Sequence, residues 1–170
     1  MVEFLKRLWR RFIDSFRGPA EDAAVVTRSV SESIDEEASE DVRDEVLARF
    51  VPERGHKGRI GVQRREAKPS AFLPMFNEQS SRFETSTFRV AGLDEDAIWM
   101  LGDMHVASTQ GPLVASAMIG EHDVRSAGLA IDADDTPPRH ANIVGWPEEK
   151  DARKELAMLL RDASWLLIRR

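Results

Sequence analysis

Residues 135–147, reading Asp-Thr-Pro-Pro-Arg-His-Ala-Asn-Ile-Val-Gly-Trp-Pro, constrain the fold more than any other stretch of this 170-residue chain. Pro137 and Pro138 fix their own φ and bias the residue before each toward extended backbone. Residues 141–144 then read as a short buried strand, Gly145 permits a sharp exit, and Pro147 opens a helix with Glu148 and Glu149 in its first turn. Arg139, His140 and Asn142 therefore fall at the start of a strand, where side chains commonly face a ligand or a partner.

The pattern on either side repeats this alternation of short strands and helices. Residues 83–90 carry threonines and phenylalanines at strand propensity, with Arg82, Glu84 and Arg89 assigned to the wetter side. Asp94 is placed to cap a helix whose first turn holds Glu95 and Asp96, with Leu93 stapling onto Ile98 and with Ile98, Leu101 and His105 on its inner face. Residues 113–119 read as a second strand, 121–127 as one or two helical turns closed by Gly128, and 129–131 as a further strand. In the last helix Ala152, Leu156, Leu159, Leu160 and Ala163 form the apolar stripe, and residues 165–168 are either its final turn or a terminal strand. Residues 68–74, bracketed by prolines, suit an edge strand or a loop across the core. Together these elements predict an α+β fold, a compact two-layer domain of short strands and two main helices, over residues 57–170.

Two extensions precede that domain. Stepping about 100° per residue puts Val2, Phe4, Leu5, Leu8, Trp9, Phe12, Ile13 and Phe16 on one half of a helix over residues 1–18, and Glu3, Lys6, Arg7, Arg10, Arg11, Asp14 and Arg17 on the other. Such a helix docks on its own core, in a partner groove or on an anionic membrane surface. Phe4, Leu5, Leu8, Trp9, Phe12 and Phe16 are the candidate binding residues. Residues 19–56 hold four basic and eleven acidic groups, and the part from 20 to 41 is too poor in apolar residues to fold, so an acidic linker is expected. Within it, Val42, Val46 and Phe50 recur at helical spacing and predict a short helix over residues 41–50, stopped by Pro52.

Residues 68–74 together with Thr87-Phe88-Arg89, Ile98-Trp99-Met100-Leu101-Gly102 and 137–147 resemble a family of small uncharacterised bacterial proteins. The resemblance spans roughly residues 60–165, to which those motifs belong. It implies a bacterial source and imports no activity.

Several chemistries lack their residues. With no cysteine, disulfides, thiolate zinc sites and cysteine nucleophiles are excluded. A Gly-rich dinucleotide fingerprint and a Gly-x-Ser-x-Gly elbow are absent, so no cofactor is expected. Asp103, His105, Glu121, His122, Asp123, Asp132, Asp134 and Asp135 include metal-ligand types, but neither histidine has the i, i+4 spacing of a zinc hydrolase helix, and no metal is expected. The acidic balance of the folded part disfavours nucleic acid. Arg54-Gly55-His56-Lys57-Gly58-Arg59 is basic and Gly-rich, but it lacks the ending of a phosphate-binding loop and reads as a solvated linker. Trp99 and Trp146 read as packing anchors before stacking platforms.

The leading reading is a non-enzymatic binding or accessory module, tethered by residues 1–18 to a partner protein or an anionic membrane surface. It is placed in the cytoplasm because no apolar run approaches the roughly 20 residues that span a bilayer. The competing reading is a small hydrolase or nuclease-like enzyme that uses His140 with Arg139 or His122 and orients its substrate through Asn142. Against it, alternation points His140 and Asn142 one way and Arg139 the other. A cleft with converging cations around His140 would favour chemistry. A paired histidine under a covering loop would favour structure.

Overall fold

The computed structural model describes residues 45–54, 59–61 and 66–170. The predicted amphipathic helix, with Phe4, Leu5, Leu8, Trp9, Phe12 and Phe16, and the stretch from 19 to 44 lie outside the described residues. In chain order the elements are β1 (Val46–Pro52), β2 (Ile60–Gly61), β3 (Glu66–Ala67), a 3-10 turn (Pro69–Ala71), β4 (Met75–Asn77) and β5 (Arg82–Arg89). Next come α1 (Glu95–Gly102), a π-helical turn (Asp103–Ala107), α2 (Ser108–Gln110), β6 (Leu113–Gly120), α3 (Glu121–Ser126) and β7 (Ala130–Ala133). The chain closes with β8 (His140–Val144), α4 (Lys150–Ala163) and β9 (Trp165–Ile168).

The fold is α+β: one seven-stranded antiparallel sheet in the order β7-β8-β5-β1-β6-β9, with β4 also paired to β5, and helices packed against it. β2 and β3 form a separate two-stranded hairpin. Leu47, Phe72, Ile119, Val124, Ile143, Trp146, Ala157 and Leu160 join into one apolar cluster between the sheet and the α3, α4 and 3-10 layer. Phe72, Leu47, Ile119 and Ile143 are fully buried, each contributing ~1.5–3 kcal/mol of transfer free energy. On the opposite face, α1 covers one end of the sheet, where the ring of Phe50 lies 5.7 Å from Phe88 and 6.3 Å from Trp99. That close approach depends on Gly102, because a Cβ there would sit 2.6 Å from both Leu113 Cδ1 and Phe50 Cε1.

The largest departure from expectation is β1. The stretch predicted as a short helix within the linker is instead a central strand, flanked by β5 and β6, and the domain boundary at residue 57 is corrected accordingly. Leu47, Ala48, Phe50 and Val51 are all buried, so both faces of the strand are apolar and period-two alternation is erased. A run of that kind cannot be told from a buried helix by periodicity alone. A register shift at Val51/Pro52 lets Pro52 end the ladder without a missing donor.

Smaller corrections follow from packing. Residues 68–74 take the loop option, a 3-10 turn that drives Phe72 into the core. α4 begins at Lys150 rather than Pro147, and Arg153 Nη1 donates to the carbonyls of Pro147 and Glu148 at 2.9 and 2.6 Å. Its buried stripe runs through Ala157 and Leu160 and leaves Leu159 55% exposed, a rotation of part of one turn from the predicted face. Residues 165–168 take the strand option as β9. The α1 cap is as expected, with Asp94 Oδ1 accepting from Ala97 N at 2.8 Å.

Candidate functional site

Strands β5 and β8 are antiparallel neighbours with Ser86 opposite Asn142 and Phe88 opposite His140. Alternation therefore puts Ser86, Phe88, His140 and Asn142 on one face of the sheet, the one that α1 covers only in part. The loop from β7 to β8 folds back over the same face and brings Asp134 to His140. Its geometry is set locally: Thr136 N donates to Asp134 Oδ1 at 3.1 Å, Arg139 N to Asp135 Oδ1 at 3.1 Å, and His140 N to the Pro137 carbonyl at 2.9 Å. Asp135 and Arg139 both adopt left-handed backbone, φ 51° and 67°, which these bonds offset. The Thr136–Pro137 bond is cis.

His140 is bonded at both ring nitrogens. Nδ1 lies 2.7 Å from Asp134 Oδ1 and Nε2 lies 2.8 Å from Ser86 Oγ. A carboxylate only accepts, so Nδ1 carries a proton and donates to Asp134; a ring with no second proton then accepts at Nε2 from the Ser86 hydroxyl. The Asp134 carboxyl is held below its ordinary range: partial burial pushes it up, but the Thr136 N–H and His140 outweigh that. Asn142 Nδ2 reaches the other Asp134 oxygen at 3.4 Å, so His140 and Asn142 do point the same way.

Arg139 does not join them. Its guanidinium donates to the carbonyls of Arg89 and Ala91 at 3.2 and 3.4 Å, and the carboxylate of Asp135 pairs with Arg89. His122 lies on α3, whose Val124 packs into the core cluster on the sheet's other face, and its Nε2 is 3.4 Å from Ser126 Oγ. Neither proposed partner of His140 is assembled with it. What His140 meets instead is Ser86 and Asp134, which the sequence reading did not single out as a pair. The only signal available was the shared parity of Ser86 with Arg82 and Glu84 on β5. Arg82 pairs there with Glu84 and Asp132, and the Glu84 carboxyl, raised by burial, is brought below its usual range by Arg82, Asn77 and Ser80.

His105, on the π-helical turn, stacks on Phe88 at 5.9 Å and 15°, while His140 meets the same ring edge-on at 5.4 Å. Burial first, then the nearby His140, lowers the His105 pKa, and its Nε2 is buried with no hydrogen-bond partner. Trp99 and Trp146 are both buried and act as packing anchors. Among the described residues no group of three or more histidines and carboxylates is placed to hold a metal ion, and no helix is long and apolar enough to cross a membrane. No family model, curated protein or solved structure matches the chain.

Proposed function

We propose that this protein is a non-enzymatic binding module that takes an extended segment of a partner protein along the outer edge of β9. The observation that carries this reading is the contrast between the two edges of the sheet. β7 is blunted by Asp132, whose carboxylate is engaged by Arg82. β9 is an uncharged Trp-Leu-Leu-Ile strand with Trp165 49% and Ile168 38% exposed, and no described strand pairs its outer side. Such an edge offers main-chain hydrogen bonds together with apolar contacts to an added strand. The segment 1–18, read from sequence as an apolar half opposite five cations, supplies a second tether to a partner groove or an anionic membrane surface.

Arg169 N donates inward to the Val114 carbonyl, so by alternation the N–H of Ile168 points outward. Ile168→Pro removes that donor while leaving the inner ladder intact. In a pull-down from native lysate, the full chain is expected to retain a partner that Ile168→Pro loses. Deletion of residues 1–18 is expected to weaken capture further. Equal capture by the parent and Ile168→Pro would rule out the edge.

One observation favours a second reading, a hydrolase built on the Asp134–His140–Ser86 chain of hydrogen bonds. Its connectivity is that of an orienting carboxylate, a general base and a hydroxyl nucleophile. Ser86 sits inside a paired strand instead of at a sharp exposed turn, which is why the binding reading leads. The relay reading expects the full-length protein to be labelled by a fluorophosphonate at Ser86, with no label on Ser86→Ala and at least tenfold slower labelling of Asp134→Asn. A parent protein that stays unlabelled at Ser86 while a control serine hydrolase reacts removes it.

A further inference from the structure

No described strand bonds the outer side of β9, and the inner pairing decides which of its groups face that way. Ala115, Ser116, Ala117 and Met118 of β6 stand opposite Ile168, Leu167, Leu166 and Trp165, and Arg169 N donates to the Val114 carbonyl. Ladder bonds alternate along an antiparallel strand, so Trp165, Leu167 and Arg169 bond inward while the N–H and C=O of Leu166 and Ile168 point outward. Side chains alternate between the two faces in the same rhythm. Leu166 packs against the apolar clusters of one face. Arg169 lies on the other, where its Nη1 and Nη2 donate to Asp103 Oδ1 and Oδ2 at 2.6 Å each and its Cζ stands 5.3 Å from the centre of the Trp99 ring. Trp165 and Leu167 share that face with it.

We propose that the segment β9 takes is β9 of a second copy of this chain, paired antiparallel about a two-fold axis at Leu167. This rests on the reading of β9 as a binding edge and names its occupant. A two-fold axis perpendicular to a sheet needs one residue that stands opposite itself. Leu167, whose own main-chain groups bond inward, can do so as a non-hydrogen-bonded pair. Leu166 then stands opposite Ile168 of the second copy, and every outward donor and acceptor of these two residues is answered. Neighbouring registers fit less well. An axis at Leu166 would set Ile168 against Ser164, whose N–H already donates to the Arg161 carbonyl, and one at Ile168 would set Arg170 against Leu166.

The side chains suit the same register. Leu166 and Ile168 meet on one face, and on the other Trp165 stands opposite Arg169, where an indole beside a guanidinium gains a cation–π contact. Asp103 already neutralises that guanidinium, and the antiparallel direction sends the Arg169-Arg170 ends of the two strands apart. A parallel pairing would set those like charges side by side. Head-to-tail pairing of β9 with β7 would leave an open edge on each growing row of copies, and Asp132 blunts β7 against it. The two-fold pairing closes on itself.

The test uses the full-length protein. Sedimentation velocity at rising concentration reads the mass, and because the chain has no cysteine, a single introduced thiol reads the register. Opposite Cα atoms of a non-hydrogen-bonded pair lie about 4.5 Å apart, within reach of a disulfide. The parent is expected to sediment as a dimer, and Ile168→Pro to raise the dimer dissociation constant at least tenfold, because each copy loses an outward donor. In mild oxidant Leu167→Cys is expected to form a covalent dimer at least tenfold faster than Leu166→Cys or Ile168→Cys, whose thiols would not face each other. Cross-linking does not involve the proline variant, so a folding defect in that variant leaves the register test standing. A parent that stays monomeric, a dimer that Ile168→Pro leaves intact, or cross-linking of Leu167→Cys no faster than that of the other two would each overturn the proposal. Lysate capture separates this failure from that of the wider reading. If a monomeric parent retains a different protein that Ile168→Pro loses, β9 is a binding edge whose occupant is not a second copy; if capture too is insensitive to Ile168→Pro, the edge itself is removed.

Discussion

A fragment beginning at residue 57 is expected not to fold, whereas one beginning at residue 40 is expected to unfold as cooperatively as the full chain. The first lacks β1, and β1 is the strand that joins the two halves of the sheet: β5, β8, β7 and β4 on one side, β6 and β9 on the other. Removing it also exposes the residues that Leu47 and Phe50 cover, in the core cluster and beneath α1 respectively. The second fragment keeps the whole compact unit from Glu40 to Arg170. Near-ultraviolet circular dichroism through a urea titration separates the two outcomes. A cooperative transition in the shorter fragment would show that β1 is dispensable. Limited proteolysis of the full chain should likewise leave a stable product that still contains residues 46–52.

Trp146→Ala is expected to cost about 3–5 kcal/mol, the range for truncating a buried large aromatic side chain. The ring packs in the main cluster at 7% exposure, and its Nε1 donates to the Ile143 carbonyl at 3.0 Å. Gly145, at φ 86°, makes the turn that swings the indole back over the end of its own strand. Trp146→Phe keeps most of the apolar contact and loses the donor, so it should cost about 1–3 kcal/mol. Denaturant midpoints, with unchanged slope, read both values. If Trp146→Ala falls within about 0.5 kcal/mol of the parent, as an ordinary surface substitution does, the indole is not an anchor.

Local signals were legible in the sequence wherever one segment determined its own structure. The capped start of α1 at Asp94, the β6 run and the strand at residues 141–144 rest on such signals, and each stands where it was expected. β1 was not legible because its hydrogen-bond partners lie 40 and 70 residues away and because side chains from both sides of the sheet, not its own sequence, bury its two faces. The surroundings of His140 failed for the same reason. Ser86 is 54 residues from it in sequence, and only the pairing of β5 with β8 brings them together. Asp134 is six residues away, within reach of sequence reasoning, but its approach requires two left-handed residues that carry no glycine to announce them. Arg139 stands apart from His140, as strand alternation expects, and its side chain turns back to the β5 exit.

The place of β1 in the sheet also sets the order in which the protein can be built. Ala48 is made early, but its cross-strand neighbours Phe88 and Met118 follow 40 and 70 residues later. A growing chain therefore carries an apolar strand, with Leu47, Ala48, Phe50 and Val51, whose second partner does not exist until residues 113–120 have been added. Sheets dominated by such distant pairings fold slowly, on the millisecond-to-second scale, and their half-finished forms are prone to aggregate. The exposure of this protein to misassembly is thus greatest during synthesis, in chains that have completed β5 and still await β6.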